Sequence, residues 1–293
     1  MKTKLFVGVT SWNSAWFLSD CLDSLRATTK CFDTEIVVFD NESTDNSAAV
    51  AKSRGARVKT GNRPQANALN WLFRQSRAKY TLLVHADVVF LNDQWLDVCR
   101  RYLSSGAVLV SPEDIGLGPM TRGYHGMPES SFMLFDTAKA WQITRWYSTQ
   151  RFKIKWPWRG LNFSGPHITH DLPRDIAKAG FVWKPMNVWE SPKACEPIYR
   201  CEFAAANWRP GYADHEYGFG NFYSLDGQLT HYHNWYNRAN QVSLDSHEVH
   251  PTDHLPLAFF RAYGERFLDH YRQRRLRIPL ELAPTLTDTE VQK

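Results

Sequence analysis

At 293 residues, with 43% hydrophobic and 22% charged side chains, the chain has a globular composition and enough length for a sizeable core. Its net charge of +5 is spread out except for RQRRLR at 272–277, and no nucleic-acid-binding motif accompanies it, so nucleic acid is not an expected partner. Five cysteines (Cys21, Cys31, Cys99, Cys195, Cys201) form no CxxC pair, which favours reduced thiols over a disulfide framework or a structural zinc site.

LFVGVT (5–10) predicts a strand ending in the turn Ser11-Trp12-Asn13. Ser14 can cap a helix whose Leu18, Cys21, Leu22 and Leu25 fall at helical spacing. EIVVF (35–39) predicts a second strand running into Asp40, and Ser43 to Asp45 open a short helix that Gly55 stops. ARVKT (56–60) is a short third strand. The turn Asn62-Arg63-Pro64 leads into a helix with Leu69, Leu72 and Phe73 inward. TLLV (81–84) is a fourth strand, followed by His85-Ala86-Asp87 and VVFL. A helix marked by Trp95, Val98, Cys99 and Tyr102 precedes the strand AVLVS (107–111). Alternation of this kind implies βαβ units, hence an α/β fold with a mainly parallel, Rossmann-like sheet flanked by helices.

Beyond 112 the pattern thins. Residues 214–227, rich in glycine and aromatics, read as a loop closing over a ligand with Tyr217, Phe219 and Tyr223; Trp156, Trp158 and Trp189 are further stacking candidates. HEVHPTDH (247–254) is not an HExxH zinc motif, and Pro251 spoils the helix such a motif needs. Leu257, Phe260, Tyr263, Phe267 and Tyr271 then define a C-terminal amphipathic helix within 255–275. The expected organisation is a ligand-binding half (1–111), a second half of the same domain (112–245), and a helical extension with its tail (246–293). Ser11, Asn13 and Ser14 break the N-terminal apolar run too early for a signal peptide, and no run approaches the roughly 18 apolar residues of a membrane span. The expected location is cytoplasmic, or peripheral to the inner face of the membrane through the basic run.

Two apolar strands run straight into carboxylates, at Asp40 and at Asp87. Open α/β sheets bind ligands beyond the carboxyl ends of such strands, so both can face one crevice holding a nucleotide and its divalent cation. Mg²⁺ and Mn²⁺ prefer carboxylate oxygens together with the ligand's own phosphate oxygens, which makes Asp87 the metal candidate. A nearby imidazole shifts preference toward Mn²⁺. Alternatives stand beside these roles. Asp40-Asn41 can form a turn that satisfies its own backbone, Asp45 can cap the next helix, and Asn67 and Asn70 share a helix face toward donor or solvent.

The order strand–TSWN, strand–DNESTD, asparagines spaced N-x4-N-x2-N on a helix, and strand–HAD resembles the family 2 glycosyltransferases of the GT-A fold. Members carry a P-T-Y-N-like turn after the first strand, a D-[DN]-x-S-T-D segment after the second, and a D-x-D metal motif. The resemblance is dense over 4–111 and looser to about 235. His85 departs from it, standing where D-x-D has its first Asp; a subset of the family has this HAD form.

The resemblance implies a donor site of Thr10, Trp12, Asn13, Asp40, Asn67, Asn70, His85 and Ala86, with Asp40 reading a base N–H and Asp87 holding Mn²⁺ or Mg²⁺. His85 is assigned to the donor, with ligation or a water bridge left open. THDLPRDIAKAGF (169–181) resembles the family's E-D-x-D-x-x-x-R-x-x-x-x-G segment, which makes Asp171 the general base; Asp171 as a helix cap, and Asp175 as base, remain alternatives. Members often close the metal site with a late histidine. In HYHNWY (231–236), His231 and His233 share one face if extended, and His233 is preferred.

The expected activity is transfer of a sugar from a nucleotide-diphosphate donor to a glycan or lipid-linked glycan hydroxyl, metal-dependent and with inversion. A degenerate protein that binds nucleotide or carbohydrate without transfer is the alternative. A nucleotidyltransferase is disfavoured, because TSWNSAW is not a Gly- and Lys-rich phosphate loop.

Overall fold

The computed structural model describes residues 2–114, 127–143, 154–156, 161–163, 168–189, 220–234 and 257–275. The first half follows the alternation in the sequence: β1 (Lys4–Ser11), α1 (Ala15–Thr28), β2 (Asp33–Asp40), α2 (Ser47–Ser53), β3 (Arg57–Thr60), α3 (Gln65–Gln75) and β4 (Tyr80–His85). β1 is flanked by β2 and β4, and β3 lies outside β2, all parallel. A strand covered on both faces must be apolar throughout, and Leu5, Phe6, Val7 and Val9 are all buried. Gly8 admits α3 close to β1, since a Cβ there would lie 2.8 Å from Leu83 Cδ2 and 2.9 Å from Leu72 Cβ.

After β4 the sheet becomes mixed. β5 (Val88–Phe90), α4 (Trp95–Ser104), β6 (Ala107–Asp114), β7 (Met127–Pro128), β8 (Phe132–Asp136) and α5 (Thr137–Ala140) follow, then β9 (Ile154–Trp156), β10 (Leu161–Phe163), α6 (Leu172–Lys178) and β11 (Val182–Trp189). The last described elements are β12 (Gly220–Leu225), β13 (Gln228–Asn234) and a C-terminal helix, α7 (Leu257–Arg272). The main sheet has the order β3-β2-β1-β4-β8-β6-β11-β12-β13-β5, with β7 on β6. This is the expected α/β sheet with flanking helices and a C-terminal helix. Its four-stranded start is wholly parallel, and antiparallel strands enter with β8.

Two apolar layers cover the sheet. Helices α1 and α4 supply Leu18, Leu22, Leu25, Trp95 and Cys99 to one. Leu69, Leu72 and Phe73 of α3, with Leu172 and Ile176 of α6, supply the other. A third cluster seats α7, where Phe267 stacks on Tyr232 with ring centroids 3.7 Å apart. Arg272 grips Asp20 through two contacts of 2.9 and 2.7 Å, fixing α7 to α1.

Two local expectations change. The predicted loop at 214–227 contains β12, and Tyr223 is buried in the sheet rather than held at a loop tip; Tyr217 and Phe219 lie outside the described residues. Neither side chain expected to cap α1 or α6 does so, because Ser14 Oγ donates to the Trp12 carbonyl and Asp171 pairs with Arg174. The HEVHPTDH segment, Trp158, Cys195 and Cys201 also lie outside the described residues, as do the side chains of Trp156 and Trp189. Among the described residues, no helix is long and apolar enough to cross a membrane.

Candidate functional site

Strand register collects the site. Ser11 lies opposite Asp40, Thr10 opposite His85, and Asp40 opposite Thr60, so the carboxyl ends of four parallel strands share one edge. The two turns there are stapled together. Asn13 Oδ1 accepts from the Thr44 N–H at 2.8 Å, and the Asn13 N–H donates to Ser43 Oγ at 2.9 Å. Both turns need a left-handed residue, Asn13 at φ 48° and Glu42 at φ 56°, a conformation asparagine tolerates better than most side chains. Asp45 serves two helices: Oδ2 accepts from the Ala15 N–H that opens α1, and Oδ1 from the Ser47 N–H that opens α2. Asp45 is therefore a capping residue. Asp40 is 2% exposed, and its carboxylate accepts the Ser43 hydroxyl at 2.5 Å, so the turn role holds as well.

The other side of the edge comes from far along the chain. β13 pairs with β5 so that His233 lies opposite Val88, and the Asn234 N–H donates to the Asp87 carbonyl at 3.0 Å. This places His233 Nε2 3.4 Å from Asp87 Oδ1. His85 joins them, and one ligand atom from each of His85, Asp87 and His233 lies within 4.8 Å of the others. Atoms bound at about 2.1 Å around one Mg²⁺-sized ion stand roughly 3–4 Å apart, a range that includes the 3.4 Å between His233 Nε2 and Asp87 Oδ1.

The charges around His233 and Glu129 are coupled. Burial pushes the His233 pKa down, but the flanking carboxylates of Asp87 and Glu129 outweigh it and lift it to about 9. Burial works to raise Glu129, and His233 with the hydroxyls of Ser131 and Tyr223 reverses this, leaving it at about 2. The carboxylates of Asp87 and Glu129 therefore flank the His233 imidazole, one at each ring nitrogen.

The glycosyl transferase family 2 model matches residues 6–165, more than half of the chain. The chain belongs to glycosyl transferase family 2. Solved structures of similar fold include S. aureus TarS 1–349, at 16% identity and a TM-score of 0.39 over 50% of each chain. Glucosyl-3-phosphoglycerate synthase from Mycobacterium tuberculosis, solved with Mn²⁺, UDP and glucosyl-3-phosphoglycerate, matches at 15% identity and a TM-score of 0.45, over 62% of this chain and 69% of that one. Mannosyl-3-phosphoglycerate synthase from Rubrobacter xylanophilus matches at 19% identity and a TM-score of 0.41, over 50% of this chain and 56% of that one. The chain spans about half of the TarS structure it matches. No curated protein matches it in sequence.

Within this family 2 frame the expected residues divide. Thr10, Asp40, His85 and Asp87 meet at the sheet edge, and Trp12 and Asn13 form its first turn. Asn67 and Asn70 are half-buried on α3, whose first residue, Gln65, reaches His85 at 2.7 Å. Ala86 is fully buried with its methyl in the core, and its N–H donates to the Thr10 carbonyl. The histidine alternative separates cleanly. His231 lies in the core between Phe132 and Tyr223, at ring distances of 4.6 and 4.8 Å, whereas His233 reaches Asp87.

Asp171 begins α6, paired with Arg174 at 3.0 Å, and Asp175 is buried beside it. α6 packs against β7, the strand that leads into Glu129. Glu129 carries no signal in the sequence. It lies in a stretch with almost no periodic signal, and only the fold brings it to His233.

Proposed function

We propose that this chain transfers a glycosyl group from a nucleoside-diphosphate sugar to an acceptor hydroxyl of a glycan or lipid-linked glycan, with inversion at the anomeric carbon. The observation that carries this reading is the His85–Asp87–His233 group beside Asp40 at the carboxyl edge of the parallel strands, in a member of glycosyl transferase family 2. The edge turns carrying Thr10, Trp12, Asn13 and Asp40 surround the nucleotide, with Asn67 and Asn70 on the adjacent helix and His85 and Ala86 below. Asp40 accepts a base N–H, a charge-assisted hydrogen bond.

Asp87 and His233 hold the cation with His85 as a third donor, a reading supported by one ligand atom of each lying within 4.8 Å of the others. When bound, Mn²⁺ or Mg²⁺ neutralises charge on the departing diphosphate. Asp171 takes the proton of the attacking hydroxyl, from a helix start packed near the strand that leads toward the metal group. Asp175 is the second candidate for that role.

The test is a thermal-shift panel of UDP, GDP, dTDP, CDP and ADP, each with and without Mn²⁺. Binding to the native state raises the melting temperature by mass action. One selective, Mn²⁺-dependent shift is expected, and it names the base. No shift with any nucleotide would sink the transferase reading and favour a protein that binds carbohydrate alone.

A further inference from the structure

We infer that Glu129 is a positioning residue for the cation site, holding His233 in the tautomer and orientation in which its Nε2 faces Asp87. The inference rests on the metal-site reading above and assigns a role to a residue that touches neither donor nor cation.

His233 Nδ1 lies 3.0 Å from Glu129 Oε1, while Nε2 lies 3.4 Å from Asp87 Oδ1. A carboxylate beside Nδ1 favours the proton on that nitrogen, so in the neutral ring Nε2 carries the lone pair that a metal needs. Glu129 is itself held at several points. The Ser131 hydroxyl donates to Oε1 and the Tyr223 hydroxyl to Oε2, each at 2.5 Å. Its backbone N–H donates to the Pro112 carbonyl at 2.8 Å. With both oxygens engaged and a side chain only 14% exposed, the carboxylate has little freedom to leave His233. Two residues later, the Ser131 carbonyl accepts the His85 N–H at 2.9 Å. One short segment ahead of β8 thus braces both histidines of the cluster, one through its ring and the other through its backbone.

A surface glutamate would not be built this way. Tyr223 is fully buried on β12, and its hydroxyl is aimed at Glu129 from the strand beside His233. Nothing in such an arrangement requires Glu129 to ligate the cation. Its effect passes through the imidazole, so it should disappear when the imidazole is removed.

The experiment is a Mn²⁺ titration of the full chain, followed by the EPR signal of free Mn²⁺, with and without UDP. The unsubstituted protein is compared with Glu129→Gln, His233→Ala and the double variant, each checked for folding by circular dichroism. Glu129→Gln keeps the shape and is expected to weaken Mn²⁺ binding about 10-fold, within the 10–100-fold range of such partners. In the His233→Ala background the same change should add less than about twofold. Tyr223→Phe, which frees one carboxylate oxygen only, should weaken binding in the same direction, and it carries the test if Glu129→Gln does not fold. Affinity within about twofold of the unsubstituted protein in these variants overturns the inference. So does an equal loss in both backgrounds, the mark of a general charge effect. If the unsubstituted protein takes up no Mn²⁺ even with UDP, the cation reading fails and the positioning role falls with it.

Discussion

His233 Nε2 stands 3.4 Å from Asp87 Oδ1 because β13 adds antiparallel to β5, the three-residue strand directly after the HAD turn. The His85–Asp87–His233 group is thus assembled across a strand pair. Loop closure is not needed to bring these two side chains together.

Replacing Asp87 with Asn should remove Mn²⁺ binding by more than about 100-fold, beyond the range of an outer-layer partner. The fold should survive, since the amide has the same shape and the Asn234 N–H still finds the residue 87 carbonyl. Asp171→Asn should leave Mn²⁺ affinity alone and cut turnover by about 10²–10⁴-fold, the contribution of a general base. Mn²⁺ titration decides the first, and turnover measured with the donor named by the nucleotide panel decides the second. Normal rates in the Asp171 variant would move the base to Asp175.

Asp40→Asn should weaken nucleotide binding by about 1.5–3 kcal/mol, the worth of a hydrogen bond to a charged group. Mn²⁺ uptake should stay within about twofold, because Asp40 reaches the site from a different strand end. Calorimetric titration with the selected nucleoside diphosphate checks this. Unchanged affinity would leave Asp40 with only its bond to Ser43.

Gly264→Ala should loosen the C-terminal helix. A Cβ there would lie 2.6 Å from Trp16 Cη2 and would also crowd the Asn234 amide. Asn234 is buried, so the overpacking is expected to cost about 1–3 kcal/mol by urea denaturation. Because Asn234 also bonds to Asp87, Mn²⁺ affinity should fall in the same variant. Full stability would mean that α7 docks less tightly than its stacking on Tyr232 indicates.

Cys21 and Cys99 should resist alkylation in the folded protein, while Cys31 reacts. Burial pushes both buried thiols far above the ordinary range, with Asp87 adding to the effect at Cys21 and Asp226 at Cys99. The thiolate is the reactive form, so its scarcity protects them. Mass spectrometry after brief treatment with iodoacetamide at pH 8 would show it. Rapid labelling of Cys99 would imply local opening of α4.

The parallel start of the sheet was legible because its strands are short, continuous apolar runs separated by amphipathic helices. Leu5 to Val9, Ile36 to Phe39 and Leu82 to Val84 all lie in the core as expected. Asp45 was also legible as a cap. Its second bond, to Ala15, was not, since it joins turns about 30 residues apart by contact rather than by sequence proximity.

What the sequence determined by itself was the set of residues at strand ends, Thr10, Asp40, His85 and Asp87, because apolar periodicity stops where a strand leaves the core. It also narrowed the late histidine candidate to two residues of one face. Only the tertiary structure separated them, sending His231 between Phe132 and Tyr223 and His233 to Asp87. Both histidines share a strand face, so alternation cannot distinguish them; the register against β5 and the packing above each ring do. Glu129 belongs wholly to the fold. A lone glutamate in an aperiodic stretch carries no local signal, and its role arises only where Ser131, Tyr223 and His233 converge on it.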